Sequence, residues 1–333
     1  MGGMELMSRK LLVMLLVLAF ATMAVAGCGG DKKAEAPKFP TKPISLIVPY
    51  AAGGGTDAVA RGIAKSVEPL LKQPVNVVNK VGANGATGMT DGFNAAPDGY
   101  TVTMITVELV MNPAMGAVKW NPNDFKALLL LNSDVSAVTV RADSPYKTFE
   151  EFIAAAKANP GKIKVGANAP GAIWHLAALN LQEKAGVKFN LMPYPGGAAP
   201  AITDLLGGHI DAVTVSAAEV SQHVKAGKLK FLAIMGKDRV KAFSDIPTAK
   251  EKGVDVNIMT WRGLGVPNKT PDAVAKTLHD AFKKATEDPK YIEFMDKGNF
   301  GISYMSSADY QKFIAEQAIL FKDLLTKAGM VKK

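Results

Sequence analysis

Cysteine occurs once in the 333 residues, at position 28, so the chain cannot form an internal disulfide and an exported form must rely on its core for stability. Histidine is nearly as scarce: His175, His209, His223 and His279 show no metal-ligand spacing and no cysteine partner, so neither zinc nor any other metal is expected. No Gly-x-Ser-x-Gly elbow is present, which removes the local sign of a hydrolase nucleophile, although triads also assemble from distant residues. The run Gly53-Gly54-Gly55-Thr56-Asp57 is not followed by Gly-Lys-Ser/Thr, so the lysine and hydroxyl of a P-loop are missing. The sixth position counted from Gly53 is Ala58, which breaks the dinucleotide fingerprint as well. Like charges never reach a run of five, and no basic block is interleaved with aromatics, so nucleic acid is not an expected partner. These absences leave no expected cofactor and no catalytic residue to nominate.

What is present begins with Arg9 and Lys10, an apolar stretch from Leu11 to Phe20, and Val25-Ala26-Gly27-Cys28. That order is the pattern of a lipoprotein signal peptide over residues 1–27, with cleavage before Cys28 and lipidation of its thiol; the start is Met1, Met4 or Met7. From Leu11 to Ala26 there are only 16 uncharged residues, short of the roughly 20 that a membrane-spanning helix needs. Loss of residues 1–27 leaves a net charge of +8, from 37 basic and 29 acidic residues, a mild bias toward anionic solutes or lipid head groups. Residues 28–38 carry the lipidated cysteine and a polar, aperiodic tether. The expected location is the cell envelope, on the extracytoplasmic side of the membrane.

From Pro43 onward short β-branched runs alternate with amphipathic stretches, which predicts parallel strands joined by crossover helices. About 295 residues suffice for a large core divided between two lobes. Strands are expected at Ile44 to Val48, Val75 to Val78 and Tyr100 to Thr106, with a helix after the first whose inner face carries Val59, Ile63, Val67 and either Leu70 or Leu71. A second series starts near Arg141. It contains a capping box at Thr148 and Glu151 opening a helix to Ala158, a strand at Lys162 to Val165, a loop from Gly166 to Ala172 and a helix from Ile173 to Ala185. There follow an extended stretch from Phe189 to Met192, a helix ending at Gly207-Gly208, a strand at Ile210 to Val215, a second capping box at Ser216 and Glu219, and a strand at Leu229 to Met235. Val256 to Trp261 is expected extended, Thr270-Pro271 to open a helix at N-cap and N1, and the chain from Ser307 to be helical.

Strand, glycine loop and helix start recur at 44–60, 75–90, 162–175 and 189–206, two in each half. A single such loop is most simply a turn that needs glycine. Four of them place unpaired N–H groups at the carboxyl edge of the sheets, where anions are held. Asp57 suits an N-cap as well as a cleft position, and His175 suits either packing or ligand contact.

Taken in order, several segments resemble one family: Pro43 to Tyr50 with Gly53-Gly54-Gly55-Thr56-Asp57; Gly82-Ala83-Asn84-Gly85; Ala96-Pro97-Asp98-Gly99-Tyr100-Thr101; Ile173-Trp174-His175-Leu176; Pro193-Tyr194 with Gly196-Gly197; Leu205 to Asp211; and Thr260-Trp261-Arg262-Gly263-Leu264. The chain is similar to the substrate-binding receptors of tripartite tricarboxylate transporters, the Bug-type periplasmic receptors. The resemblance implies an α/β, two-lobe periplasmic-binding-protein fold of the Venus-flytrap, type II-like kind, each lobe a mainly parallel sheet flanked by helices. Lobe 1 would comprise 39–140 plus 259–333 and lobe 2 would comprise 141–258, with hinges near Val138 to Arg141 and Val256 to Trp261. It also implies a monomer without enzymatic activity that clamps a small organic anion, a carboxylate, and hands it to a two-subunit integral membrane permease.

Carried onto this chain, the resemblance places ligand contacts at Tyr50, Ala51, Ala52, Gly53, Gly54, Gly55, Thr56 and Asp57, at Gly82, Ala83, Asn84 and Gly85, and at Thr106. In the other lobe it places them at Gly171, Ala172, His175, Tyr194, Gly196, Gly197 and Ser216, with backbone amides, hydroxyls and waters carrying the anion and little use of arginine. The sequence departs from many relatives at Ala51-Ala52, where they carry two prolines, and at Ala172, where they carry a serine. The second departure removes one possible donor hydroxyl. Tricarboxylates, dicarboxylates, aromatic acids, amino acids and vitamin acids all remain open as ligands. An exported enzyme in the same cleft would need a base or metal that these residues do not supply.

Overall fold

Strand β1 (Ile44–Val48) has no polar residue except Ser45, and its apolar side chains are at most 5% exposed, as expected of a central strand covered on both faces. It lies in a computed structural model that describes residues 39–331; the signal peptide, Cys28 and the tether fall outside the described residues. β1 runs parallel to β2 (Val75–Asn79) and β3 (Thr101–Thr106). Helix α1 (Gly55–Leu71) returns from β1 with Val59, Ile63 and Val67 facing the sheet. Leu71 completes that stripe, while Leu70 is 37% exposed. Helices α2 (Ala86–Phe93) and α3 (Glu108–Ala114) follow β2 and β3.

The longest strand is β4 (Phe125–Arg141), which sequence periodicity did not single out because its first half is apolar on both faces. Its first part is antiparallel to β9 (Met259–Pro267), itself antiparallel to β3, and β10 (Ile302–Met305) adds a further antiparallel partner. The partner changes between Val135, which pairs with Met259, and Ser136, which pairs with Met235 of β8 (Leu229–Met235). One crossing between lobes therefore lies at Val135–Ser136, ahead of the expected Val138 to Arg141. The other lies at Ile258–Met259, inside the expected window, since the Ile258 N–H still bonds to the Met235 carbonyl.

Beyond the crossing, the second sheet repeats the plan of the first. β5 (Lys164–Asn168) runs parallel to β6 (Asn190–Tyr194) and β7 (Ala212–Val213), and β4 and β8 add antiparallel strands. Each lobe thus has a parallel trio extended by the antiparallel strands that link the lobes. Helices α4 (Phe149–Ala158), α5 (Ile173–Ala185), α6 (Ala198–Leu206) and α7 (Ala217–Lys225) cover it. The C-terminal helices are α8 (Asp272–Thr286), α9 (Pro289–Gly298) and α10 (Ser307–Lys327).

Several element boundaries differ from expectation for local reasons. Gly161 at φ 74° and the Lys162 N–H bonded back to Asn159 hold the chain in a turn, so β5 starts two residues late and consumes part of the expected 166–172 loop. The strand expected at Ile210 to Val215 keeps only Ala212–Val213 in the ladder. Pro271 is the N-cap of α8, with Asp272 its first helical residue, one position later than expected. At α4 the Thr148 hydroxyl accepts from the Glu151 N–H at 3.2 Å, but the Glu151 carboxylate turns to the Lys147 N–H at 2.6 Å. The Ser216 and Glu219 box at α7 is reciprocal, as expected.

Candidate functional site

Helices α1, α5 and α6 all start at the carboxyl end of a strand and open on one space between the two sheets. Their N-caps are Gly54, Ala172 and Gly197, and none of the three has a side-chain capping bond. Bare caps also occur on α2, α3 and α8, so the cap type alone selects nothing. What distinguishes the three is convergence: Gly55, Ile173 and Ala198, the first residue of each, line the same cavity. Each contributes N–H groups without a helical partner at a positive dipole end. The cavity measures about 20 Å³, room for a water molecule and too little for an organic acid, so entry of a ligand requires its walls to move.

The first glycine loop reaches the cavity through Tyr50, Ala51, Gly54, Gly55 and Thr56; Thr106 closes that side, and Gly196 and Gly197 face it from the second lobe. The Ala51 N–H donates to the Gly196 carbonyl across the gap at 3.2 Å. The other candidates are not in the lining. Ala52 and Gly53 are exposed. Asp57 is 3% exposed but faces back into its own lobe, accepting from the Gly53 N–H, Arg61 Nε and Asn79 Nδ2 at 3.0, 2.9 and 2.9 Å. Burial works to raise its pKa, but these bonds outweigh it and hold the carboxyl below the usual range.

Gly82 and Gly85 shape the second loop without entering the cavity. A Cβ on Gly85 would stand 3.1 Å from the Tyr50 hydroxyl, so that glycine seats Tyr50. Asn84 Nδ2 donates to the Pro170 carbonyl of the other lobe at 2.9 Å, and Ala83 lines a separate groove with Trp120. The Gly171 N–H donates to His175 Nδ1 at 3.3 Å, and burial lowers the pKa of that imidazole, which fits a neutral packing role. Ala172 caps α5 behind the lining, and Ser216 caps α7. The Tyr194 hydroxyl donates to Asp204 at 2.6 Å; burial and that carboxylate push its pKa up to about 12.

The lining also contains residues that the glycine loops did not point to: Glu108, Asn168, Trp174, Glu219, Thr260 and Arg262. Arg262 is 1% exposed. Its Nε donates to Thr56 Oγ1 at 3.0 Å and its Nη1 to Asn132 Oδ1 and Asp134 Oδ2, both at 2.5 Å, while Nη2 lies 3.5 Å from Glu219 Oε1. The guanidinium is thus fully engaged by the protein. The Asn168 side-chain oxygen, in the cavity wall, has no partner within the protein. Burial raises the Glu219 carboxyl above its usual range, Arg262 opposes that rise and Asp134 adds to it. The Tyr50 phenol is raised chiefly by burial, then by the charge of Glu108. Among the described residues no group of three or more His, Cys, Asp or Glu could hold a metal, and no helix is long and apolar enough to cross a membrane.

The family description "Tripartite tricarboxylate transporter family receptor" matches residues 59–330. The chain belongs to that receptor family. Its members are substrate-binding receptors for transport, so this receptor is not an enzyme. A UPF0065 protein from Cupriavidus necator is 37% identical over 316 residues, spanning 95% of this chain and 96% of the relative. Among solved structures, a TctC solute-binding protein from Polaromonas, without ligand, is 44% identical with a TM-score of 0.65, covering 87% of this receptor and 99% of that chain. The periplasmic binding protein BugD is 31% identical with a TM-score of 0.83, covering 89% and 100%. Two Rhodopseudomonas palustris proteins share the fold at 24% and 23% identity, with TM-scores of 0.80 and 0.82 and coverage of 86% and 88% of this receptor and 100% and 99% of theirs; one holds malate and the other adipate.

Proposed function

We propose that this receptor is anchored through a lipid on Cys28 at the extracytoplasmic side of the membrane, captures a small carboxylate between its lobes as a monomer, and delivers it to a two-subunit membrane permease. The observation that carries this reading is the meeting of three helix N-termini whose own N-cap residues supply no side-chain cap, from both lobes, at one cavity with Thr106 and Tyr50 in its wall. Such ends suit a negative group, and two of them on one side and one on the other suit a solute gripped between halves. The malate and adipate held by two proteins of the same fold favour the same ligand class.

Lobe 1 comprises 39–135 plus 259–333 and lobe 2 comprises 136–258, the first boundary falling ahead of the expected 140 because Ser136 to Arg141 pair with β8, with closure about the two crossings at Val135–Ser136 and Ile258–Met259. In favour of such motion, the Polaromonas structure overlaps less at 44% identity than BugD does at 31%. A change in the angle between rigid lobes produces that inversion. In the closed arrangement the first glycine loop and Gly196-Gly197 supply most of the anion's donors, and Thr106, whose hydroxyl donates to Glu108, closes the wall beside them. Asp57, Gly82 to Gly85, Gly171, Ala172, Tyr194 and Ser216 hold the loops that supply them.

The test is ligand-induced thermal shift across mono-, di- and tricarboxylates, amino acids and vitamin acids. At least one small acid should raise the melting temperature in a concentration-dependent way without turnover. Stabilisation by neutral solutes alone would contradict the reading.

A further inference from the structure

Two buried glutamates cross the cleft in opposite directions and are built alike. Glu219 belongs to α7 in the second lobe and is lined up by its own helix cap: Oε2 accepts from the Ser216 hydroxyl at 3.0 Å and from the Ser216 N–H at 3.2 Å. Its other oxygen, Oε1, reaches into the first lobe and accepts from the Gly55 N–H, the first of α1, at 3.2 Å, with Arg262 Nη2 at 3.5 Å. Glu108 belongs to α3 in the first lobe, where its Oε2 accepts from the Thr106 hydroxyl at 2.5 Å. Its Oε1 reaches into the second lobe and accepts from the Ile173 N–H, the first of α5, at 3.2 Å. In both cases one carboxylate oxygen is tied down at home and the other caps the opposite lobe's bare helix.

Close approach is built in. Gly55 has no left-handed φ to justify a glycine, yet a Cβ there would lie 2.7 Å from Glu219 Cγ and 2.8 Å from Arg262 Nη2. Glu108 is 1% exposed, and Glu219 is enclosed between Gly55, Arg262 and Ser216. Neither carboxylate reaches its cross-cleft donor unless the lobes are closed.

We propose that Glu108 and Glu219 form a reciprocal latch, two internal carboxylates that occupy the helix N-termini of the facing lobe, favour the closed arrangement over the open one and compete with the solute for the same donors. The closure half of this proposal stands without any assumption about the ligand. The competition half rests on the carboxylate reading above. It makes the two glutamates determinants of specificity: a solute group that takes over the N–H of Gly55 or Ile173 must be as good an acceptor as the carboxylate it displaces, which favours acids over amides.

The experiment measures the lobe-to-lobe distance in the solute-free receptor, by electron spin labels on the two lobes or by the radius of gyration in small-angle scattering. Wild type is compared with Glu108→Gln, Glu219→Gln and the double variant. Gln keeps the shape and removes the charge. The double variant should be more open than the wild type, each single variant lying between. Ser216→Ala, which removes one of the two bonds to the home oxygen of Glu219 and leaves its charge in place, should also open the receptor partially. A double variant as closed as the wild type, with its fold verified by circular dichroism, overturns the latch. Titration with malate and adipate then reads the competition: whichever binds wild type should bind Glu219→Gln about tenfold more tightly, the worth of one charge-assisted bond no longer displaced. Equal or weaker binding overturns the competition. If neither probe binds the wild type, it is the carboxylate reading that loses support, and the distance measurement still decides the latch.

Discussion

Arg262 is the residue on which the buried polar interior turns. Its side chain is 2% exposed, and so are its partners within a few per cent: Asp134 at 3% and Glu219 at 5%. Removing one member of such a pair leaves the other charge buried without compensation, a loss of about 3–5 kcal/mol. Arg262→Ala should therefore lower unfolding free energy in urea by that amount, far more than substitution of an exposed lysine. Asp57 tests a milder version. Its folded pKa lies below the ordinary 3.8, held there by Arg61, Gly53 and Asn79 against the effect of burial. A group with a lowered folded pKa stabilises the protein at pH values above the unfolded pKa and loses that contribution as pH falls through the folded one. Arg61 is half exposed, which discounts the ion pair, so Asp57→Asn should cost about 1–2 kcal/mol at pH 7. In unfolding curves between pH 7 and 3 the gap between the two proteins should stay constant above about pH 5 and close below about 4.

Among the elements, those with a strong local signal were the ones legible in the sequence. The bounds of β1, α4, α5 and β8 agree with expectation to the residue, because each is an apolar run or period bounded by a proline, a cap or a glycine. β4 was not legible, since a 17-residue strand serving two sheets has no single face to repeat. The candidate site divides in the same way. Its glycine loops were visible as local punctuation, whereas Glu108, Glu219 and Arg262 gain their roles from partners 65, 164 and 206 residues away. The motif Thr260 to Leu264 and the Ser216–Glu219 cap flagged two of these residues without showing where they point. At the element scale the sharpest test is Gly55→Ala. An alanine at helix position N1 is well tolerated by the backbone, so the folded receptor should keep its melting temperature within a few degrees. Its Cβ would collide with Glu219 and Arg262 where α1 meets the second lobe, so the stabilisation that a bound acid gives the wild type in thermal shift should be lost. A full ligand-induced shift in this variant would show that closure does not bring α1 and Glu219 together.

For the molecule as a whole, anchoring and closure are separable. With the proposed anchor at Cys28, residues 29–38 would span at most about 36 Å when extended, which would keep the lobes near the bilayer. Expression of Cys28→Ala in a lipoprotein-processing host should move the receptor from the membrane fraction to the soluble fraction while leaving its affinity for solute unchanged. A variant still found with the membrane would argue for another means of attachment.

The central claim is that a carboxylate of the solute bridges the two lobes. Isothermal titration of receptor freed of retained solute by unfolding and refolding measures this directly, with small acids compared against their amides. One solute should bind per receptor for at least one acid, and that binding should be lost when its carboxylate is converted to the amide. Equal binding of acid and amide, or binding confined to uncharged solutes, would contradict it.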